Sequence, residues 1–217
     1  MIIDFHTHTL LSDGLLLPAE AVRQAEARGY RAIGLTDHVD FSNVERVVAE
    51  TVRGCERLNG FGGPTAVPGL EITHVPPELV PELIALGRKL GARLVIVHGE
   101  TIIEPVRPGT NRAAISGGAD ILAHPGLISD EDCRLAREKG VHFELSARKG
   151  HSLTNGHVAA KARQFGIPLV VASDAHSADD LLTPALWKKV GHGAGLGEEE
   201  WRRVEQNSRT LLERIGF

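Results

Sequence analysis

The feature that most restricts the fold of this 217-residue chain is a series of seven short apolar runs. The runs are rich in Val, Ile and Leu, and nearly every position in them is apolar. Continuous apolar runs of this length are typical of strands buried on both faces of a parallel sheet. The predicted strands are Ile2–Phe5, Ala32–Leu35, Ala66–Leu70, Arg93–Val97, Asp120–Ala123, Val141–Leu145 and Pro168–Ala172.

Longer amphipathic stretches follow these runs and predict helices, several of which begin near Pro or a capping residue and end at Gly. The alternation indicates one repeating βα architecture, either a closed barrel or an open doubly wound sheet. No linker-like tract divides the chain, so we expect a single domain over residues 1–217. The predicted helices are Pro18–Arg28, Asn43–Leu58, Pro77–Leu90, Asn111–Gly117, Asp130–Lys139, Asn155–Phe165, Asp179–Val190 and Gly197–Arg214.

Composition and motif content exclude several classes of protein. No apolar run is long enough to span a bilayer, and the N-terminal residues do not resemble a signal peptide, so we expect a cytoplasmic protein. The two cysteines lack CxxC spacing and exclude a disulfide framework. A net charge of −4 and an aromatic content of 4% argue against extended contact with nucleic acid. No GxGxxG or GxxxxGK[ST] motif follows the first strand, which removes the main support for nucleotide-binding folds.

Histidine is abundant, with 11 residues, and most of the histidines follow the predicted strands. In a parallel barrel the C-terminal strand ends converge on one mouth, where enzymes of this architecture have their active sites. A single such side chain is more often a hydrogen-bonded structural residue or a helix cap than a metal ligand, but the whole set is hard to explain in that way. The metal-competent residues at predicted strand ends are His6, His8, Asp13, His38, Glu71, His98, His124, Asp174 and His176.

This number of donors exceeds the three or four protein ligands that one zinc ion takes, so we expect two or three divalent ions that share a carboxylate. The mixture of nitrogen and oxygen donors favours zinc, manganese or iron.

The motifs that contain these residues resemble those of the polymerase-and-histidinol-phosphatase (PHP) family. They are DFHTH at 4–8, SDG at 12–14, TDH at 36–38, GLE at 69–71, VHGE at 97–100, AHPG at 123–126 and SDAH at 173–176. The resemblance extends from about residue 3 to residue 177 and keeps the family order. It implies an α/β fold, a distorted seven-stranded (β/α)7 TIM-like barrel, with a trinuclear metal site.

The resemblance also implies a distribution of ligands among the ions. One ion is expected at His6, His8, Glu71 and Asp174. A second shares Glu71 and adds His98 and His124, and a third is held by Asp13, His38 and His176. Among these ligands we expect Glu71, Asp174 and His176 to take part in catalysis as well.

Three carboxylates near the predicted site have both structural and functional interpretations. Asp4 either orients a ligand imidazole or is a buried hydrogen-bonded carboxylate. Asp37 has the same two interpretations, and we favour a structural role in a turn. Glu144 ends the sixth predicted strand and could orient a ligand or contact substrate. The histidines that match no strand-end pattern are interpreted as surface or helix residues: His74, His142, His157 and His192.

The loops that follow His98 and Glu144 contain basic residues that could bind a substrate phosphate, although a solvated surface position is the common alternative. These residues are Arg107, Arg112, Arg148 and Lys149. His151, in the second of these loops, is a candidate proton donor to the leaving group.

A cluster of divalent ions lowers the pKa of a bound water and neutralises phosphoryl oxygens, which suits hydrolysis of phosphate esters. We therefore expect a metal-dependent phosphoesterase, with a small-metabolite phosphate monoester such as histidinol phosphate as substrate and a metal-bridging hydroxide as nucleophile. The alternatives are a phosphodiesterase or exonuclease acting on nucleotides or short oligonucleotides, an amidohydrolase, and a non-catalytic metal-binding module. No GxSxG motif supports a serine hydrolase.

Overall fold

The computed structural model describes residues 1–217, and its central feature is a parallel sheet that is almost closed into a barrel. Seven strands pair in the order β1-β2-β4-β5-β6-β7-β8, every pair parallel, and the two-residue β3 pairs only with β4. The expected α/β barrel of seven strands is confirmed. The strands are β1 (Ile2–Asp4), β2 (Tyr30–Leu35), β3 (His38–Val39), β4 (Thr65–Ile72), β5 (Leu94–His98), β6 (Ile121–Ala123), β7 (His142–Ser146) and β8 (Leu169–Ala172).

The seam between the first and last strands is closed by few interactions. A single bridge pairs Thr7 with Ala175. Two backbone hydrogen bonds flank it, from His8 N to Ala175 O at 2.8 Å and from Asp174 N to His6 O at 2.9 Å. The barrel is thus closed just beyond β1 and β8, among residues of the sequence-predicted metal site.

Eight helices cover the outside of the barrel, and their ends follow the local capping chemistry. The Oγ of Ser129 accepts a hydrogen bond from Asp132 N at the start of α5, which ends before Gly140 in the left-handed conformation. No helix of the protein is long and apolar enough to cross a membrane. The helices are α1 (Pro18–Ala27), α2 (Val44–Leu58), α3 (Val80–Lys89), α4 (Thr110–Gly117), α5 (Asp130–Lys139), α6 (Asn155–Phe165), α7 (Pro184–Gly193) and α8 (Glu198–Arg214).

Two of the predicted helices begin later than the sequence indicates. Residues 77–79 form a separate 3-10 turn before α3. The helix expected from Asp179 is also interrupted, because Pro184 restricts Thr183 to an extended backbone and the Thr183 Oγ1 then caps α7. The residues before it, Ala178–Asp180, form their own 3-10 turn next to the barrel mouth.

The interior of the barrel is a small apolar cluster, separate from the larger core between strands and helices. Leu94 and Ile96 of β5 point inward, and Leu211 and Ile215 at the end of α8 join the same cluster. Because side chains alternate along a strand, the inward series of β5 continues to His98 at the mouth. The apolar layer therefore fills the barrel below the polar layer that contains the histidines.

Candidate metal centre

The C-terminal ends of the strands bring the nine sequence-predicted ligands together at one end of the barrel. Six of the nine are buried, His38 and His176 are partly buried, and only Asp13 is largely open to solvent, with 56% of its side chain exposed. Glu71 lies within β4, His98 ends β5, and Asp174 follows β8. For Glu71 and His98 this continues the alternation that directs Val67 and Leu94 into the barrel, whereas His6 and His8 do not alternate with Ile3 and Phe5 in this way.

Glu71 lies at the centre of this cluster, and its two carboxylate oxygens face different histidines. Oε1 is 3.3 Å from Nε2 of His6 and 3.8 Å from Nε2 of His124. Oε2 is 3.6 Å from Nε2 of His8 and 2.8 Å from Nδ1 of His38. A carboxylate with histidines on both sides has the arrangement that a bridging ligand needs.

Asp174 faces the same histidines from the opposite strand. Its Oδ1 is 3.3 Å from Nε2 of His8, and its Oδ2 is 3.7 Å from Nε2 of His124. Its backbone has a φ of 55°, in the left-handed region that is strained for a residue other than glycine, and strain of this kind concentrates at functional sites. Burial raises the pKa of Asp174 to about 7, so the carboxyl titrates near neutral pH when no cation is bound.

A second group of donors lies closer to solvent around Asp13. Its Oδ1 is 3.6 Å from Nε2 of His38, its Oδ2 is 3.3 Å from Nε2 of His176, and His8 lies beside them. Partial burial raises the pKa of Asp13, but His176 and His38 outweigh it, and the pKa falls to about 2. The three residues expected at a third ion are therefore adjacent.

Many polar atoms of the cluster are buried without a hydrogen-bond partner. They are Nε2 of His6, both ring nitrogens of His8 and of His124, and both carboxylate oxygens of Glu71. Each buried polar atom without a partner costs about 1–3 kcal/mol, so a group of this size is expensive for a protein of ordinary stability. Divalent cations would satisfy these atoms, and the donor set of imidazoles and carboxylates fits zinc, manganese or iron.

Some of the histidines are also oriented as metal ligands are. The Nδ1 atoms of His6 and His98 contact oxygens outside the ligand set, and this leaves Nε2 directed into it, which is the usual role of outer partners in metal sites. The Nδ1 of His38 also faces Glu71, that of His176 also faces Arg148, and His8 and His124 have no such partner. Glu144 is one of these partners, so it orients a histidine, one of the two roles considered from the sequence. The contacts are His6 to Glu144 Oε2 at 2.7 Å, His38 to Thr73 Oγ1 at 2.6 Å, His98 to Gly99 O at 3.2 Å and His176 to Asp174 O at 3.0 Å.

The other two carboxylates with open interpretations contact backbone rather than imidazoles. Asp37 accepts hydrogen bonds from the backbone N and side-chain hydroxyl of both Thr9 and Ser12, and so fixes the turn that carries Asp13. Asp4 accepts hydrogen bonds from the backbone N of His6 and of Ser173 across the barrel seam. Both are structural supports of the loops that hold the cluster.

The arrangement around His98 differs from the expected one. The sequence-based expectation places His98 with Glu71 and His124, whereas the structure brings the ring nitrogens of His98, His124 and His151 within 4.8 Å of one another. The Nε2 of His98 is directed at Glu104, 3.1 Å away. The loop between β5 and α4 therefore supplies a further carboxylate beside His98.

Glu104 and His74 were not predicted from the sequence as site residues. Glu104 Oε2 is also 3.4 Å from Nε2 of His74, which was interpreted as a surface or helix residue and has a left-handed φ of 55°. A hydrogen bond with His98 lowers the pKa of Glu104 to about 2. Only the position of Glu104 in a loop after a predicted ligand could have indicated it.

His151 lies inside the cluster rather than at its entrance. It is 4% exposed, and its ring stacks on that of His124 with centroids 4.0 Å apart and an angle of 13°. Burial lowers the pKa of His151 to about 4. The role of His151 as proton donor to a leaving group stays a prediction.

The four basic residues expected to bind phosphate occupy different places. Arg148 borders the cluster and donates a hydrogen bond from Nη1 to Asp174 O at 3.1 Å. Lys149 is exposed on the neighbouring cavity wall, and Arg107 is exposed on the loop. Arg112 is directed away, because its guanidinium pairs with Glu131 at 2.9 Å and Asp132 at 2.8 Å. In this structure Arg112 therefore pairs with acidic residues of α5, and its role in substrate binding stays a prediction.

Two cavities meet at Arg148 and Asp174. The polar cavity, of about 240 Å³, contains Asp13, His38 and the other mouth residues. The neighbouring cavity, of about 410 Å³, is lined by Lys149 and by apolar side chains of α7 and the segment before it. Together they have the dimensions of a site for a small molecule.

Comparison with known sequences finds a family model and several relatives. The family model described as PHP domain matches residues 4–80. An uncharacterized protein of Methanocaldococcus jannaschii is 45% identical over 99% of this chain and 100% of its own length. A protein of Thermoanaerobacter sp. named "probable phosphatase" is 27% identical over 92% of this chain and 89% of its own length.

Solved structures with the same fold include two with different descriptions. One belongs to a cryo-EM structure of archaeal ribonuclease P with mature tRNA, with a TM-score of 0.75, 14% identity and coverage of 97% of this chain and 90% of that one. The other is described as a "putative histidinol phosphatase" from Listeria monocytogenes, with a TM-score of 0.60, 11% identity and coverage of 83% and 97%.

Proposed function

Because this chain belongs to the PHP family, we propose that it is a metal-dependent phosphoesterase that hydrolyses the phosphate monoester of a small metabolite. The observation that carries the proposal is the group of buried imidazole and carboxylate atoms that have no hydrogen-bond partner, next to the guanidinium of Arg148. The relative named as a "probable phosphatase" supports this reaction class. The single-domain organisation and the nine ligands expected from the sequence belong to the same proposal.

The chain's own residues have distinct tasks in this proposal. Divalent ions, when bound, supply an activated water and neutralise charge on the phosphoryl oxygens. Glu71 and Asp174 hold the cluster together from opposite strands, and Glu144 fixes the ring of His6 through Nδ1. His176 and Asp13 would hold an ion at the solvent side of the cluster. Arg148 can offer two parallel N–H donors to a phosphate at the junction of the two cavities.

The size of the site favours a small substrate. The phosphate would lie in the polar cavity of about 240 Å³, and the rest of the substrate in the cavity of about 410 Å³ beside it. Leu182, Leu186 and Val190 give the larger cavity an apolar wall, and Lys149 gives it a cation. A single metabolite fits these dimensions, whereas a polynucleotide needs a groove with stacking aromatic residues.

A nucleic-acid function is the second candidate, because the fold is shared with a chain of archaeal ribonuclease P. In that case the chain would contact RNA or cleave a phosphodiester. The chain keeps all nine expected metal-competent residues, and this favours catalysis over a role as a non-catalytic subunit.

One experiment separates these functions. Hydrolysis of p-nitrophenyl phosphate and of bis(p-nitrophenyl) phosphate is measured with added Mn²⁺ or Zn²⁺, and His8→Ala serves as the control against a contaminating phosphatase. We expect faster hydrolysis of the monoester, with the activity lost in His8→Ala. A faster diester reaction would support the phosphodiesterase instead, and no turnover of either ester would refute the phosphoesterase.

A further inference from the structure

Two side chains outside the nine expected ligands enter the polar cluster. Glu104 comes from the loop between β5 and α4, and His151 from the 3-10 turn that follows β7. Their side chains meet, with Glu104 Oε1 3.3 Å from Nε2 of His151. They lie beside His98 and His124, the two histidines that were expected at the second ion.

His151 has the same orientation as His6 and His98 of the expected ligand set. Its Nδ1 is 2.9 Å from Thr101 Oγ1, and its Nε2 is directed into the cluster. With Nδ1–H donating to the Thr101 hydroxyl, the lone pair of the neutral ring is at Nε2 and is available to a cation. The sequence-neighbouring His157 lacks this arrangement, because its Nε2 contacts the backbone oxygen of Ile128 at 3.1 Å.

The distances from Glu104 to two of the histidines match those between ligands of one ion. In a tetrahedral site with metal–ligand distances of about 2.0–2.1 Å, neighbouring ligand atoms are about 3.3–3.4 Å apart. Glu104 Oε2 lies 3.1 Å from His98 Nε2 and Glu104 Oε1 lies 3.3 Å from His151 Nε2, so the two oxygens of one carboxylate face the two histidines. A second observation is that His124 is 1% exposed and both of its ring nitrogens lack a hydrogen-bond partner.

We propose that Glu104 and His151 are ligands of the ion that also binds His98 and His124. This proposal rests on the metal centre of the proposed function, but not on the reaction that the centre performs. The mixed site has three imidazoles and the carboxylate of Glu104, and Glu71 Oε1 lies 3.8 Å from His124 Nε2 as the shared carboxylate. This donor set suits zinc or another borderline divalent ion, and the ion attaches the loop between β5 and α4 to the barrel.

Metal content tests the assignment independently of activity. Zn²⁺-loaded wild type, His151→Gln and Glu104→Gln are dialysed and analysed for metal per chain, and zinc affinity is measured by competition with a chromophoric chelator. We expect His151→Gln to retain one ion fewer than wild type, the same number as His98→Gln. Glu104→Gln should bind that ion at least about tenfold more weakly, since even outer partners cost 10–100-fold.

The matched controls make the same two substitutions at positions outside the proposed site. His157→Gln lies outside the cluster, and Glu78→Gln is exposed on the 3-10 turn before α3. Both should keep the wild-type content and affinity. Wild-type values for both His151→Gln and Glu104→Gln would overturn the proposal, and circular dichroism with thermal unfolding verifies that each variant is folded.

Hydrogen exchange gives a second test of Glu104. If this carboxylate only attracted the ion without binding it, its loss would not change the exchange of the loop. Zinc should slow amide exchange across residues 101–107 in the wild type and leave it fast in Glu104→Gln. Equal protection in both proteins would overturn the role of Glu104. If these metal results hold while no phosphate ester is hydrolysed, the proposed function fails and the ligand assignment stands.

Discussion

Replacing Glu71 by Gln is expected to weaken two ions rather than one. The two oxygens of this carboxylate face different histidines, Oε1 toward His6 and His124 and Oε2 toward His8 and His38, at 2.8–3.8 Å. Glutamine conserves the shape of the side chain but replaces one oxygen by an NH₂ group and removes the charge. An amide nitrogen donates hydrogen bonds and cannot serve a cation on that side.

The size of the effect follows from the number of ions that the carboxylate contacts. Loss of an outer partner already costs 10–100-fold in metal affinity, so loss of a direct ligand should cost at least about 100-fold at each ion. That factor corresponds to about 3 kcal/mol for each ion and about 5–6 kcal/mol for two. With metal in excess, the variant should lose a similar part of the stabilisation that bound ions give the fold.

The assay is metal analysis after dialysis together with thermal unfolding, each with and without EDTA. Wild type should unfold at a clearly higher temperature with Mn²⁺ or Zn²⁺ than with EDTA, and Glu71→Gln should lose most of that difference. The matched control is Glu78→Gln, which has the same chemistry at an exposed position. Loss of no more than one ion per chain would refute the bridging role.

Three further predictions concern substrate binding, pH and the backbone. Arg148→Ala should raise KM for a phosphate monoester at least about tenfold with unchanged metal content, and an unchanged KM would contradict its assignment. Burial lowers the pKa of His142 from 6.5 to about 4, so between these values the unfolded chain binds more protons and stability falls as the pH falls. In EDTA the free energy of unfolding of the wild type, measured with urea, should therefore fall by about 2 kcal/mol more between pH 7 and pH 5 than that of His142→Leu. The same dependence on pH in both proteins would refute this. Gly126→Ala places Cβ 1.8 Å from Glu100 O at a φ of +66°, whereas Gly140→Ala at +69° meets no atom within 4 Å. Gly126→Ala should cost at least about 2 kcal/mol more than Gly140→Ala in urea unfolding, and equal costs would refute the clash.

The sequence predicts the barrel well because local pattern and tertiary environment agree. Both faces of each strand are covered, so strands appear as continuous apolar runs, and the alternation that directs Leu94 and Ile96 inward also directs His98 to the mouth. The position of α7 was less predictable, because the capping Thr183 and the following Pro184 act together in a segment of ambiguous pattern.

The loops explain why the rest of the site could not be predicted. The ring of His124 reaches the cluster through a backbone φ of 26°, which no strand period indicates. Glu104 is brought to His98 by the fold of a loop, and a carboxylate in a loop is usually solvated. His74 appears unremarkable in the sequence, and only its position beside Glu104 relates it to the site.

The barrel seam has a consequence for the order in which the protein can mature during its synthesis. His6 and His8 leave the ribosome before Asp174, the carboxylate that faces them across the seam, and before His176. A nascent chain that ends before this point has the early histidines and no partner strand to close against. Metal binding would then require that β8 and the residues after it have been synthesised. In a chain that stalls before this point the barrel would stay open, and proteases could cleave it.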